Sequence, residues 1–213
     1  AKALMALGIP IMIGMLINAL YNLVDAYFVS GLGERQLAAV SIVFPLGQVI
    51  VGLGLMFGNG AASFLSRLLG RDERDVANQV ASTAVGSSLL LGAVVIVCVL
   101  VFMKPVLLAL GATATILPHA LVYGRIYALP CIFNVFNVTM NNIVSSEGAA
   151  KTTMCAMMLG AVLNIGLDPL LIYGLELGVA GAALATAVSQ LASTVIYLWY
   201  VLSRKSAFHF SLR

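Results

Sequence analysis

Six long apolar stretches, separated by short polar turns, run the length of this 213-residue chain. They cover residues 3–30, 36–65, 76–103, 117–144, 152–173 and 179–202. Each stretch is long enough for an α-helix to cross the hydrocarbon core of a bilayer, which takes about 20 residues. The pattern therefore predicts an all-α polytopic membrane protein, in which residues 1–213 form a single six-helix transmembrane bundle.

The composition supports a lipid-facing bundle. Hydrophobic residues make up 62% of the chain, charged residues 9%, and the mean hydropathy is +1.07, all outside the range of soluble domains. The net charge of +3 is too small to suggest a nucleic-acid partner. The three cysteines lack the paired spacing of a metal site or a disulfide framework. We therefore expect the lipid bilayer as a partner and no cofactor.

The basic residues predict how the bundle is oriented. If the N-terminus is cytoplasmic, eight basic residues lie on that side and three, Arg35, Lys104 and Arg125, lie on the other. Cytoplasmic loops carry the excess of Lys and Arg, so both termini are predicted to lie in the cytoplasm. The eight residues are Lys2, Arg67, Arg71, Arg74, Lys151, Arg204, Lys205 and Arg213.

Two acidic residues interrupt the apolar spans. Asp25 lies in the first span and Asp168 in the fifth, with Asn164 one helical turn before it. An ionised carboxylate costs several kcal/mol in hydrocarbon, so it is expected to face a cavity, a partner or a transported ion. Pro169 has no N–H and leaves the carbonyl of Ile165 without its helical partner. These oxygens suit either a bound cation or a proton relay, and Pro10 is expected to bend the first span.

Polar residues in four spans repeat at helical spacing, so each set shares one helix face. Interhelical hydrogen bonding is the simpler explanation for any single residue, but aligned faces on four spans favour one water-accessible cavity. The glycines of GLGLMFGNG, at 52–60, instead predict close helix packing. The four polar sets are Asn18, Tyr21, Asn22 and Asp25; Asn134, Asn137, Asn141 and Ser145; Met157, Asn164 and Asp168; and Thr186, Gln190, Thr194 and Tyr197.

Taken together, these segments resemble the N-terminal six-helix lobe of multidrug and toxic compound extrusion (MATE) transporters. The matching segments are NALYNLVDAYFVSGLG, GLGLMFGNGAASFLSRLLGRD, NNIVSSEGAAKTTM and NIGLDPLLIYGLELGVAGAALATAVSQ. The resemblance covers essentially the whole chain. It implies one lobe of a twelve-helix transporter in the inner membrane of a prokaryote. The second six-helix lobe is missing from this chain, by truncation or because two half-transporters form a homodimer.

The resemblance also implies a function and a set of sites. Such a protein is a secondary antiporter, not an enzyme, and exports organic, often cationic, compounds in exchange for H⁺ or Na⁺. The implied coupling-ion residues are Asp25, Asn164, Asp168 and Thr186, with Asn141 nearby, and Na⁺ would bind at the first three. The implied substrate cavity is lined by Tyr21, Asn137, Met157 and Gln190, and the implied helix bends lie at Pro10 and Pro169.

Three other functions remain as alternatives. A lipid-linked saccharide flippase of the same broad superfamily would need a strongly cationic cavity, whereas the polar faces here carry acids and amides. An intramembrane aspartyl protease also pairs two acidic residues from different spans, but Asp168 lies in IGLDP and not in a GxGD motif. A non-transporting membrane scaffold would leave the two acids unexplained.

Overall fold

A computed structural model describes residues 2–203 and 205–209, with side chains from residue 4 onward. Arg204, Arg213 and the side chain of Lys2, which the orientation prediction counts, lie outside the described residues. The described chain is helical and contains no strand. Its helices are α1 (Lys2–Ser30), α2 (Glu34–Gly70), α3 (Arg74–Val101), α4 (Met103–Ala109), α5 (Leu117–Ala128), α6 (Cys131–Ser146), α7 (Ala150–Pro169) and α8 (Val179–Leu202), with a π-helical turn (Leu170–Gly174) after α7.

The helices match the prediction of a membrane bundle. Within the described residues, five helical segments are long and apolar enough to span a bilayer, and a sixth span results if α5 and α6 count as one bent span. The helix α1 packs mainly on α7, α2 packs on α3 and α6, and α8 packs on α5, α6 and α7. The predicted all-helical membrane lobe is confirmed.

The fourth predicted span is divided into two helices. The axes of α5 and α6 meet at 49°. Pro130 lies at the junction, where it lacks the N–H that would continue α5, and its carbonyl accepts a hydrogen bond from the Phe133 N–H at 2.9 Å as α6 begins. The span predicted for residues 117–144 is therefore two helices joined by a proline-centred bend.

The predicted loop after the third span also contains a helix. Residues of α4 turn towards the bundle, where Met103 and Leu107 are 2% and 0% exposed. They pack in a core that includes Val43 of α2 and Ala120 of α5. Burial of these two side chains removes apolar surface from water and stabilises the short helix, which is too short to be stable alone.

Helix α7 changes to a π-helical turn directly after Pro169. The Leu175 N–H bonds the carbonyl of Leu170 at 2.9 Å, five residues earlier. The start of α8 packs closely against this turn, because a Cβ on Gly181 would lie 2.6 Å from the Leu171 carbonyl oxygen. Such turns inside helices occur often at functional sites. Helix α1, in contrast, remains α-helical through Pro10.

The predicted close packing is confirmed at two of the four second-span glycines, Gly54 and Gly58, whereas a Cβ on Gly52 or Gly60 would meet nothing within 4 Å. A Cβ on Gly54 would lie 2.8 Å from the Cβ of Val138, and one on Gly58 would lie 2.9 Å from Nδ2 of Asn142. Real Cβ atoms do not approach other atoms this closely. The two glycines therefore allow α2 and α6 to pack with their backbones near each other.

Residues after α8 fold back over the end of the bundle that holds the α6–α7 turn. Phe208 is 2% exposed and packs among apolar residues of α2 and α3. The carboxylate of Glu147 accepts hydrogen bonds from Ser206 Oγ at 2.7 Å, the Ala207 N–H at 2.6 Å and Tyr200 Oη at 3.3 Å. We call this set, residues 147, 200 and 205–209, the Glu147 clasp.

Candidate ion and substrate site

Helix α7 carries the most deeply buried acid of the chain. Asp168 is 0% exposed and Asn164, one turn earlier on the same face, is 1% exposed. The Asn164 amide donates to the hydroxyl of Thr186 on α8, although the distance of 3.4 Å makes this a weak bond. Three of the predicted coupling-ion residues therefore lie together between α7 and α8.

Asp25 of α1 completes this group. Its side chain lies within hydrogen-bonding distance of Asp168. If both groups are ionised, neither can donate a hydrogen bond. Oδ1 of Asp25, both carboxylate oxygens of Asp168 and Oδ1 of Asn164 are then buried without a donor. A proton held between the acids, or one small cation, would satisfy oxygens that the protein leaves unpaired.

Electrostatics alone disfavour an empty, doubly ionised pair. Two unit charges about 4 Å apart repel by roughly 4 kcal/mol at an effective dielectric constant of 20. Every Lys and Arg side chain that the structure describes is exposed, so none of these side chains offers a buried counter-charge to the acids. The pair therefore requires a bound cation or a proton for charge balance.

Three tyrosines surround the acid pair. Tyr21 lies one turn before Asp25 on α1, near enough to both acids to interact with their charges. Tyr123 and Tyr127 of α5 interact with the charge of Asp25 as well. Their rings stack with centroids 5.5 Å apart and planes at 17°. Neither α5 residue is among the predicted site residues, although their i, i+4 spacing puts both on one face of the helix before Pro130.

The predicted amide residues form a separate group between α6 and α8. Asn137 Nδ2 donates to the backbone carbonyl and Oε1 of Gln190, at 2.9 and 2.8 Å, and its Oδ1 accepts from Thr194 Oγ1 at 2.9 Å. Both kinds of polar atom on Asn137 are thus bonded within the bundle. The structure makes Asn137 a bridge between helices, which is the simpler role that the polar pattern also allowed.

Asn141 bonds a different part of α8 from Asn164. Its Nδ2 donates to Tyr197 Oη at 3.2 Å, whereas Asn164 contacts Thr186. Positions 186 and 197 of one helix are about 16 Å apart along the axis at 1.5 Å per residue. The described hydrogen bond of Asn141 lies in the α6–α8 interface, and its place near the coupling ion stays a prediction.

Met157 contacts the middle of α1. A Cβ on Gly14 would lie 2.9 Å from the Met157 sulfur, so the glycine is what allows this approach. Pro10 lies one turn before Gly14, and Met157 is half-buried. The contact therefore connects the predicted bend of α1 to the predicted substrate-cavity residue of α7.

Two further polar groups bear on the cavity. Oδ1 of Asn134, the first residue of the α6 polar face, is buried and has no hydrogen-bond partner. Asn18 and Asn22 of α1 are exposed, and Asn22 Nδ2 donates to the Asn18 carbonyl at 2.8 Å. The polar face of α1 therefore opens away from this bundle and is only partly covered by it.

Comparison with known proteins gives one consistent result. Residues 10–170 match the MatE family. The multidrug export protein MepA of Staphylococcus saprophyticus is 32% identical over 212 residues, which are 99% of this chain and 47% of that protein. The MepA protein of Staphylococcus aureus is 33% identical over 200 residues, or 93% of this chain and 44% of that protein.

Solved structures agree with this assignment. The outward-facing structure of a multidrug resistance MATE family transporter of the MOP superfamily superposes with a TM-score of 0.94 at 37% identity. That comparison covers 100% of this chain and 47% of the transporter. The chain therefore spans about half the length of the relatives it matches, and the resemblance to one transporter lobe is confirmed.

Proposed function

Because this chain belongs to the MatE family, we propose that it is the ion-coupling lobe of an antiporter that exports organic, often cationic, compounds in exchange for H⁺ or Na⁺. The observation that carries this proposal is the pair Asp25 and Asp168, with buried carboxylate oxygens that no described residue satisfies. A purely structural acid would have acquired donors, since burying an unpaired polar group costs about 1–3 kcal/mol.

The proposed exchange follows from charge balance in this pair. The two acids, with Asn164 and Thr186, hold one H⁺ or one Na⁺. A cationic compound entering the neighbouring cavity offers the same positive charge, so the bound ion is released when the compound binds. Because the ion and the compound compensate the charge of the same two carboxylates, binding of one lowers the affinity of the site for the other, and this competition couples their opposite movements.

The other residues are proposed to support this site. Tyr21 lies beside both acids, where its ring and hydroxyl can contact a bound compound. Met157, against α1, supplies a flexible apolar surface suited to compounds of varied shape. The Asn137–Gln190 bridge holds α6 on α8 and shapes the cavity wall. Pro10 and Pro169 allow α1 and the end of α7 to change shape between transport states.

The lobe is proposed to work with a second six-helix lobe. Asn18 and Asn22 are polar, exposed and placed on an otherwise apolar helix. Amides are costly against lipid tails, so another protein surface should enclose them with the cavity. The relatives are about twice as long as this chain, which favours a covalently linked second lobe over a homodimer of half-transporters.

Two alternatives make different demands on the site. A flippase for lipid-linked saccharides binds phosphate and needs basic groups in its cavity, but every described Lys and Arg side chain is exposed. An aspartyl protease uses two acids that share a proton, a geometry this pair also permits. Incubation with transmembrane peptides distinguishes the two roles, and we expect no cleavage.

The direct test is transport by the complete transporter in proteoliposomes. Asp25→Asn and Asp168→Asn should each reduce efflux driven by an imposed H⁺ or Na⁺ gradient at least 100-fold, because the neutral amide cannot exchange charge. Thermal unfolding in detergent should show that both variants remain folded. Running each gradient alone identifies the coupling ion.

The matched control is Asp72→Asn in the turn between α2 and α3. Asp72 is an exposed acid whose side chain pairs with Arg74 at 2.9 Å, and such surface pairs contribute little. Its positive φ of 57° is well tolerated by Asn. This variant should transport normally. Gradient-driven efflux at the normal rate by the double variant of Asp25 and Asp168 would refute the proposal.

A further inference from the structure

The π-helical turn joins α7 to the end of α1. Tyr173 Oη donates a hydrogen bond to the carbonyl oxygen of Phe28 at 2.6 Å. The two rings meet edge to face, with centroids 6.3 Å apart and planes at 67°. A Cβ on Gly31 would overlap the Tyr173 hydroxyl, so this position directly after α1 leaves room for the contact only as glycine. We call the contact between Tyr173, Phe28 and Gly31 the Tyr173 latch.

The latch lies next to the acid pair along both helices. Phe28 follows Asp25 by three residues on α1, and Tyr173 follows Asp168 by five residues across the change from α- to π-helix. The contact is thus about one turn beyond each acid. The Tyr173 hydroxyl bonds the backbone of α1. Neither this hydroxyl nor the Tyr173 ring therefore has to contact the bound ion.

Helix α1 needs such a contact more than the other helices do. Only 6% of its most apolar stretch is buried inside the described bundle, compared with 28% for the segment formed by α7 and the π turn. When the acid pair loses its cation, the two carboxylates repel each other. A weakly packed helix would then move away from α7 and separate the oxygens that must bind the next ion.

We propose that Tyr173 is a positioning residue that holds α1 against α7 and thereby sets the spacing of Asp25 and Asp168. The inference rests on the proposed function of the acid pair. The latch acts before the ion binds: it keeps the two carboxyls at binding distance and so raises the affinity of the site for H⁺ or Na⁺. It makes no contact with the exported compound.

The test uses Tyr173→Phe in the complete transporter. This variant keeps the ring contact with Phe28 and removes only the hydroxyl. The concentration of coupling ion that gives half-maximal efflux should rise three- to ten-fold, the range expected for one lost hydrogen bond. The maximal rate at saturating ion and the affinity for the compound without a gradient should stay unchanged, since the latch touches neither the cavity nor the compound.

The matched control is Tyr27→Phe. Tyr27 is the neighbouring tyrosine of α1, is 74% exposed, and its hydroxyl donates to no residue in the described chain. Tyr27→Phe should leave the half-maximal ion concentration, the maximal rate and the affinity for the compound unchanged. An unchanged ion affinity in Tyr173→Phe, or an equal loss of maximal rate and compound affinity, would overturn the latch. Asp25→Asn is measured in parallel to distinguish failure of the latch from failure of the proposed function. If Asp25→Asn still couples efflux to the ion gradient, the proposed function is overturned as well.

Discussion

The two ends of this bundle both bury carboxyl groups, and they treat them in opposite ways. At one end Glu147 accepts hydrogen bonds from Ser206, Ala207 and Tyr200. Towards the other end, the described residues offer no hydrogen-bond donor to three carboxylate oxygens of Asp25 and Asp168. A fully bonded carboxylate stabilises a structure, whereas an unsatisfied pair is available to a ligand. The hydrogen bonds therefore mark Glu147 as a structural acid and support the proposal that Asp25 and Asp168 are binding acids.

The position along the helices explains the difference. The N–H groups inside a helix already bond carbonyls four residues back, so an acid within a span finds donors only on side chains. Glu147 lies just after α6, where the chain from α8 passes by and the Ala207 N–H is free to donate. The acid pair is enclosed by helical backbone on both α1 and α7. A partner for the unpaired oxygens must therefore come from a side chain, from water or from a bound ion or compound.

The largest effect is expected when the proposed binding acid is removed. Asp168→Leu keeps four side-chain heavy atoms branched at Cγ but carries no charge, and we expect it to abolish coupled efflux. We also expect it to raise the free energy of unfolding by about 1–3 kcal/mol, because a buried group without partners no longer has to be desolvated. Thermal unfolding in detergent at neutral pH measures the rise.

Glu73→Leu controls for the general effect of replacing an acid by leucine. Glu73 is exposed and makes no side-chain capping bond, so its loss should change the free energy of unfolding by less than about 0.5 kcal/mol. A fall in stability for Asp168→Leu comparable to that of an ordinary core substitution would mean that Asp168 is satisfied in the fold. The two ends of the bundle would then not differ as described.

The sequence was sufficient to single out the two acids that the structure brings together within the spans. Asp25 and Asp168 stand out because charged residues are rare in apolar spans, and Asn164 follows from its spacing of four residues to Asp168. The helical nature of the chain follows from span length alone. These features depend on local composition and on the periodicity of one helix, which the linear sequence records directly.

Features that depend on contacts between distant segments were missed. Tyr123 and Tyr127 come near Asp25 through the packing of α5, the first part of a span that bends by 49°, and the direction of a bend is not written in its sequence. The close approach of Gly181 to Leu171 depends on how α8 packs on the π turn. Likewise, whether an amide bridges helices or faces a cavity, as for Asn137 and Asn141, depends on which partner the neighbouring helix presents.

A smaller change in stability is expected when Glu147, the structural acid, is replaced. Glu147→Ala removes the acceptor of three hydrogen bonds, one of them to a backbone N–H. We expect the free energy of unfolding to fall by about 2 kcal/mol, with ion coupling retained in the molecules that stay folded. Hydrogen exchange should show faster exchange at Ala207 and Phe208, where the clasp is released.

Glu73→Ala is the matched control for this change. Glu73 is exposed, lies at the start of α3 and makes no side-chain capping bond. It should change neither stability nor exchange at Ala207. Loss of ion coupling in fully folded Glu147→Ala, without any change in exchange, would contradict the assignment of Glu147 as a structural acid and make the two ends functionally alike.

The smallest expected effect is a pH dependence of the Glu147 clasp. Burial raises the pKa of Glu147 above its ordinary value of 4.5, and the hydrogen bonds from Ser206, Ala207 and Tyr200 offset this only in part. An acid with a raised pKa in the folded state binds its proton more tightly there than in the unfolded chain. Its contribution to stability is therefore complete below pH 4.5 and is lost as the pH rises through the folded-state pKa.

Thermal unfolding of the wild type and of Glu147→Gln, measured in detergent between pH 7.5 and 5, isolates this contribution. The glutamine variant cannot titrate at this position, while Asp25, Asp168 and His209 are common to both proteins. The stability of the wild type relative to Glu147→Gln should therefore increase as the pH falls. A decrease over the same interval would mean that the three hydrogen bonds outweigh burial, and that Glu147 is held as a carboxylate whose charge the clasp requires.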